Sequence, residues 1–218
     1  MTRPGLERVR GIYVLADDDP RWKHGVRAQL EGALAGGASA VQLRLKQTPD
    51  GAALALARWA AARAREAGAL LVVNDRFDLA LLAGAGGVHL GQDDLAPEVL
   101  PAEARERLLV GLSTHTPEQL AASVGRPIDY VAFGPVFATG SKRSEYSARG
   151  LPALRAAAAA AGRPLVAIGG VSADNAAQVR LAGAAAAAVI SAVAAAPDPA
   201  EATRYLRARF AESPPGRR

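Results

Sequence analysis

Eight short apolar runs, each followed by a stretch of helix-forming residues, fill almost the whole of this 218-residue chain. The candidate strands are GIYVLA (11–16), AVQLRL (40–45), LLVVN (70–74), GVHL (87–90), LLVGL (108–112), DYVAF (129–133), PLVAIG (164–169) and AAVI (187–190). Each is a run of β-branched, Leu or Ala residues bounded by Gly or polar positions. Helical stretches follow at about 21–35, 51–67, 77–83, 97–107, 117–124, 151–161, 173–182 and 198–211. A strand, a helix and a second strand make a right-handed parallel unit. Eight such units in 218 residues come close to the minimum for a closed α/β structure, the (β/α)8 TIM barrel. An open doubly wound sheet is the rival, but eight strands without an antiparallel edge would leave two edges to protect. The expectation is one barrel domain over residues 1–218, with a frayed tail at 213–218.

The chain is 50% hydrophobic, contains no run long enough to span a bilayer, and has no Pro/Ser-rich interior linker at which to divide it. Cysteine is absent, which excludes disulfides, thiolate nucleophiles and Cys-ligated zinc. The opening MTRPGLERVR lacks an apolar leader, so the cytoplasm is the default expectation. A formal charge of +5 and a pI near 10.1 raise the question of nucleic acid. The arginines are scattered along helices and aromatics are only 5% of the chain, so stacking platforms and a groove-reading helix are both missing and no nucleic-acid partner is expected. The sequence leaves room for a homo-oligomer without specifying one.

Strand ends carry the chemistry. In LVVNDRFDLALLAGAGGVHLGQDD (71–94), Asp75 and Asp94 each lie just past a candidate strand. On parallel neighbours the two carboxylates emerge on one rim, where a hard divalent cation can bridge them to a phosphate. Asp75 also suits a helix N-cap, and the two roles are compatible; Asp93 reads as a turn residue. In VQLRLKQ, alternation puts Gln42, Arg44 and Lys46 on one face and Val41, Leu43 and Leu45 on the other. A barrel keeps its apolar helix layer outside, so the polar set points inward, either toward an anion or into ion pairs with Asp75 or Asp94. Lys46 and Lys142 are two of only three lysines, and both fall at strand-end or loop positions, where a compact charge suits phosphate.

Further along, Ser113 ends strand five and is available to a ligand, while Thr116 before Pro117 reads as an N-cap. His89 reads as an imidazole packed and hydrogen-bonded inside the barrel, and His115 has no recognisable Asp partner. The loop GPVFATGSKRSEYSARG offers amides, hydroxyls and a cation at Thr139, Gly140, Ser141 and Lys142, a phosphate cradle or lid. Gly169, Gly170 and Ser172 after strand seven, with Ile190 and Ser191 after strand eight, supply the amides of a second anion corner.

VQLRLK, VVNDRFDLALLAGAGGVHLGQDD, GLSTHT, DYVAFGPVF, the 139–142 segment, AIGGVSADNAAQV and AAVISAV, in that order over about residues 11–193, resemble the thiamine-phosphate synthase family. The resemblance implies a (β/α)8 barrel that joins hydroxymethylpyrimidine diphosphate to a thiazole phosphate and releases pyrophosphate with magnesium. It assigns Gln42, Arg44, Lys46 and Asn74, with Ser113 and Lys142, to the pyrimidine diphosphate, and Asp75 and Asp94 to Mg2+. Thr139, Gly140, Ser141, Gly170, Ile190 and Ser191 fall to the thiazole phosphate, and Arg44, Lys46, Ser113 and Lys142 to catalysis. The implied mechanism is dissociative, with no protein nucleophile. Leu45 stands where the family usually has an acidic residue, and Gly140-Ser141 where it usually has Pro-Thr. The alternatives are a thiazole tautomerase on the same barrel and a silent ligand-binding barrel. The tautomerase has a Gly at the Asp75 position and a His at the Pro135 position, so both residues here favour the synthase.

Overall fold

A computed structural model describes residues 3–141 and 146–212. The expectations for Lys142 and for the 213–218 tail lie outside the described residues. Eight strands, β1 (Gly11–Asp17), β2 (Ala40–Arg44), β3 (Leu70–Asn74), β4 (Gly87–Leu90), β5 (Leu109–Thr114), β6 (Tyr130–Phe133), β7 (Leu165–Ile168) and β8 (Ala186–Val189), pair in chain order into a closed parallel barrel. β1 and β8 close it, with Gly11 opposite Ala186 and Val14 opposite Val189. The helices are α1 (Val26–Ala35), α2 (Asp50–Glu66), α3 (Phe77–Ala83), α4 (Ala102–Arg107), α5 (Pro117–Ala122), α6 (Gly150–Ala160), α7 (Ala176–Leu181), α8 (Ser191–Ala194) and α9 (Pro199–Ala211). Among the described residues no helix is long and apolar enough to cross a membrane.

Period-two alternation builds two cores from the same strands. Ile12, Val14, Val41, Leu43, Leu71, Val73, Val88, Leu90, Val110 and Leu112 point outward and pack under the helices against Leu30, Leu79, Leu154, Val179 and Leu206. Their neighbours Tyr13, Leu15, Leu70, Val72, Leu109, Tyr130, Val166, Ala186 and Ala188 point inward and fill the barrel. The buried residues of α2 are all alanines, Ala53, Ala57, Ala60, Ala61 and Ala64, a face small enough for close approach, with Leu54, Leu56 and Trp59 packing at its margins. One interior position demands glycine: a Cβ on Gly111 would overlap the Tyr130 ring and His89 Nδ1.

Several element bounds differ from the sequence reading for identifiable reasons. The helix expected over 97–107 is a 3-10 turn at Pro97–Val99 followed by α4, because Pro101 stands between them. The helix expected from 21 begins at Val26, since 18–25 is taken up by turns that Asp17 and Asp19 bond. α7 starts at Ala176, after a turn in which Asn175 Oδ1 accepts from Ser172 N at 2.9 Å. β8 begins one residue earlier than expected, in an alanine run that offers little to mark register. α8 is an additional short helix before α9. Thr116 caps α5 as expected, accepting from Gln119 N at 3.2 Å.

Candidate active site

The C-terminal strand ends gather the charged residues at one mouth. β3 and β4 are parallel neighbours, with Asn74 opposite His89, and Asp75 N donates to His89 O at 2.8 Å. Asp75 is the one non-glycine residue with positive φ (63°) among those described. Asp and Asn are among the few non-glycine residues that visit this left-handed region. Lys46 Nζ forms an ion pair with Asp75 Oδ2, and the Asp94 carboxyl stands close enough to act on the Asp75 carboxyl. Burial raises the Asp75 carboxyl above the ordinary carboxylate range; Asp94 pushes the same way, and Lys46 opposes. Asp94 Oδ2 also accepts from Gly91 N at 2.6 Å, which fixes the turn after β4. Asp75 does not cap α3: its N-cap position is Arg76, with no side-chain cap bond.

Arg44 faces the same mouth but pairs with a residue the sequence reading passed over. Its Nη1 lies 2.6 Å from Asp17 Oδ2, and Asp17 is only 1% exposed. The two residues are direct partners in the β1–β2 register. Asp18 accepts from the Lys46, Gln47 and Thr48 amides at 2.9, 2.8 and 2.8 Å and from Thr48 Oγ1 at 2.8 Å. Burial opposes its ionisation, yet those bonds hold its carboxyl below the usual range. Leu45, on the opposite side of the strand end, packs against the outer core.

Below the rim a chain of hydrogen bonds crosses the barrel interior. Gln42 Nε2 donates to Tyr13 OH at 2.8 Å, Tyr13 OH meets Tyr130 OH at 3.1 Å, Tyr130 OH meets His89 Nδ1 at 3.1 Å, and His89 Nε2 meets Ser113 Oγ at 2.9 Å. Burial pushes both tyrosine hydroxyls above their ordinary value, so both stay protonated. Among the described residues Gln42 Oε1 is buried without a hydrogen-bond partner. His89 is the packed imidazole expected of it, but the Ser113 hydroxyl, expected to be available, is engaged by that ring. His115 stacks on Tyr146 at 4.4 Å, and its Nδ1 contacts Gly134 O at 2.6 Å.

The second anion corner assembles on the far rim. Val136 N donates to Ile168 O at 2.9 Å and Phe137 N to Gly169 O at 3.0 Å, so the loop after β6 runs along the end of β7. Gly170, at φ 63°, fits because a Cβ there would overlap Phe137 and Ala138 O. Ser141 N donates to Thr139 Oγ1 at 3.3 Å, and Ser141 Oγ bonds Ser191 Oγ at 3.1 Å at the start of α8, next to Ile190. Gly140 and Ser141 are further held from outside by Arg21, whose Nη1 and Nη2 donate to their carbonyls at 3.0 and 3.2 Å. Thus the ends of β2–β5 and the turns after them bring Arg44, Lys46, Asn74, Asp75, Asp94 and Ser113 to one side of the barrel end, with Gln42 below them, and the ends of β6–β8 and their loops bring Thr139, Gly140, Ser141, Gly170, Ile190 and Ser191 to the other.

Sequence reading missed Asp17, Asp18, Tyr13, Tyr130 and Arg21. The run Asp17-Asp18-Asp19 at the end of the first strand is the same signal that drew attention to Asp75 and Asp94. The two tyrosines gave no such signal, because an interior phenol reads as an ordinary apolar strand residue.

Comparison with known proteins agrees with this architecture. The profile of the thiamine monophosphate synthase family matches residues 12–193. A thiamine-phosphate synthase of Anaeromyxobacter dehalogenans is 46% identical over 93% of this chain and 89% of its own length. One from Thermus thermophilus is 43% identical over 91% of this chain and 96% of its own. The solved structure of a thiamine phosphate pyrophosphorylase from Pyrococcus furiosus superposes with a TM-score of 0.84 at 36% identity, covering 94% of this chain and 97% of that one. A closed barrel with two polar clusters facing each other across one mouth, and a family profile spanning nearly all of it, lead to one conclusion: the chain belongs to the thiamine monophosphate synthase family.

Proposed function

We propose that this protein condenses 4-amino-2-methyl-5-hydroxymethylpyrimidine diphosphate with thiazole phosphate, giving thiamine phosphate and pyrophosphate. The observation that carries the reading is the pairing, in one mouth, of the Asp75–Asp94–Lys46 cluster with the Thr139–Ser141–Ser191 corner. Two anionic substrates need two anion sites close enough for their reacting atoms to meet.

Arg44 and Lys46, with Asn74, bind the diphosphate, and Gln42 reaches the pyrimidine; its unpartnered Oε1 is an acceptor suited to the exocyclic amine. Thr139, Gly140, Ser141, Gly170, Ile190 and Ser191 hold the thiazole phosphate, and the assignment of Lys142 to the diphosphate rests on the family resemblance. Magnesium fits the donor set. Asp75 and Asp94 are hard oxygen ligands forced together, one of them with its carboxyl raised by burial and by the other, an arrangement that a dication relieves. Asp75 and Asp94 would hold the ion from the protein side, and oxygens of a bound diphosphate would suit its remaining positions. Bound there, the ion supplies charge neutralisation for the diphosphate.

The reaction requires no protein nucleophile. The methylene C–O bond breaks with its electron pair leaving on pyrophosphate, whose negative charge Arg44 and Lys46 stabilise. The pyrimidine-methyl cation is fed by its amino group, and the thiazole nitrogen lone pair forms the new C–N bond; no proton is transferred. Ser113, oriented by His89, closes the pyrimidine side. The reaction belongs to the cytoplasm, where phosphorylated substrates are retained because charge crosses a bilayer at high cost. Neither partner is nucleic acid, and a homo-oligomer is compatible with the reading. The tautomerase and silent-barrel alternatives gain no support, since the mouth keeps Asp75, Asp94, Arg44 and Lys46. The test is Asp75→Ala and Asp94→Ala: each loses most transfer and shifts the magnesium titration. Near-normal turnover with an unchanged titration in both variants removes the metal assignment.

A further inference from the structure

Three consecutive carboxylates at the end of β1 each grip a different part of the mouth, and none of them is among the residues assigned to substrate above. Asp17 divides its two oxygens: Oδ2 takes Arg44 Nη1 at 2.6 Å, and Oδ1 takes Asp19 N at 2.9 Å and Trp22 Nε1 at 3.1 Å. Its own backbone is clamped by Gln29, which accepts from Asp17 N at 2.9 Å and donates to Asp17 O at 3.0 Å. Asp18 accepts three successive amides, those of Lys46, Gln47 and Thr48. Asp19 accepts from Arg21 N at 3.0 Å and pairs with Arg21 Nη2 at 2.7 Å. Arg21 in turn donates to the carbonyls of Gly140 and Ser141, at 3.0 and 3.2 Å.

We propose that Asp17, Asp18 and Asp19 are positioning residues that set both anion sites from strand β1: Asp17 aims Arg44, Asp18 fixes the segment carrying Lys46, and Asp19 acts through Arg21 on Gly140 and Ser141. The proposal rests on the two-site reading above. A buried carboxylate with both oxygens committed is a rigid support, because releasing either side leaves a polar group unpaired. The far arm matters because a Cβ on Gly140 would meet no described atom within 4 Å, while the Gly140 and Ser141 carbonyls both accept from Arg21. Ser141 then presents its hydroxyl to Ser191 on the thiazole-phosphate side.

The arms predict different kinetic signatures. Asp17→Asn keeps shape but cannot satisfy both sides: with its oxygen toward Asp19 and Trp22, its NH2 faces the Arg44 guanidinium, donor against donor. The KM for the pyrimidine diphosphate should rise about tenfold. Arg21→Ala should raise the KM for thiazole phosphate about three- to tenfold and leave that for the pyrimidine diphosphate within about twofold, with Arg21→Lys intermediate. A merely structural role would instead lower active fraction and kcat without separating the two constants.

The experiment measures both KM values for wild type, Asp17→Asn, Arg21→Ala, Arg21→Lys and, as control, Lys46→Ala. Because Arg21 is half-exposed, its variants fold even if Asp17→Asn does not. The split described supports the proposal. If Lys46→Ala raises the pyrimidine-diphosphate KM but Arg21→Ala moves neither constant, or both equally, the proposal fails alone. If Lys46→Ala leaves both that constant and turnover unchanged, the two-site reading fails and the proposal falls with it.

Discussion

Replacing Asp75 by Asn should stabilise the metal-free protein while destroying its activity. The Asp75 side chain is about one-fifth exposed, stands against Asp94, and is paired with a half-exposed Lys46. Removing its charge relieves a like-charge contact, whose scale is set by two unit charges about 4 Å apart repelling by about 1 kcal/mol in bulk water and about 4 at an effective dielectric of about 20. The lost ion pair costs about 0–1 kcal/mol, because Lys46 is open to solvent. Asn tolerates the left-handed φ of 63°, so the backbone adds no new strain. The net expectation is a gain of about 1 kcal/mol, read as a Tm increase of about 2–4 °C for a chain of this size. Because the folded carboxyl is raised, the stability its proton confers is fully present below the unfolded value and lost as pH rises through the folded one. The Asn variant's advantage is therefore largest near pH 8 and shrinks on acidification. Thermal melts without metal across that pH range give the result, and added magnesium should raise the wild-type Tm but not that of the variant. A variant less stable than wild type at pH 8, or an advantage that grows in acid, refutes the reasoning.

Three further outcomes are expected. Lys46→Ala should raise the KM for the pyrimidine diphosphate or lower turnover by about tenfold or more, as steady-state kinetics with the thiazole phosphate saturating will register. Ser191→Leu should chiefly weaken thiazole phosphate, since the bulk enters where Ser141 meets Ser191; titration with thiazole phosphate alone checks it. Gly111→Ala should cost about 1–3 kcal/mol or more in denaturant melts, because the methyl must displace the Tyr130 ring and His89.

The barrel was legible because its period-two strands and helical intervals repeat eight times, so a slip at one element leaves the closure intact. Where bounds moved, the cause was local: Pro101 splits one helix, and the alanines around 186–189 carry too little shape to mark register. The rim pair Asp75 and Asp94 was legible from the ends of adjacent parallel strands, although Asp94 lies four residues past β4 and is brought back by the turn in which it accepts from Gly91 N. The inward face of Gln42, Arg44 and Lys46 followed from alternation. What could not be read was partnership. Arg44 meets Asp17 rather than Asp75 or Asp94, a choice made by the β1–β2 register, and the relay from Gln42 to Ser113 depends on two tyrosines meeting across the barrel. Contacts between distant strands and between loops, such as Arg21 with Gly140, have no period for a sequence to display.

The central claim is best tested by incubating the purified protein with hydroxymethylpyrimidine diphosphate, thiazole phosphate and magnesium and quantifying both products. Thiamine phosphate and pyrophosphate should appear in equal amounts, and leaving out either substrate should abolish thiamine phosphate. A folded protein that forms no thiamine phosphate above the enzyme-free control, or that consumes the pyrimidine diphosphate without forming it, contradicts the account.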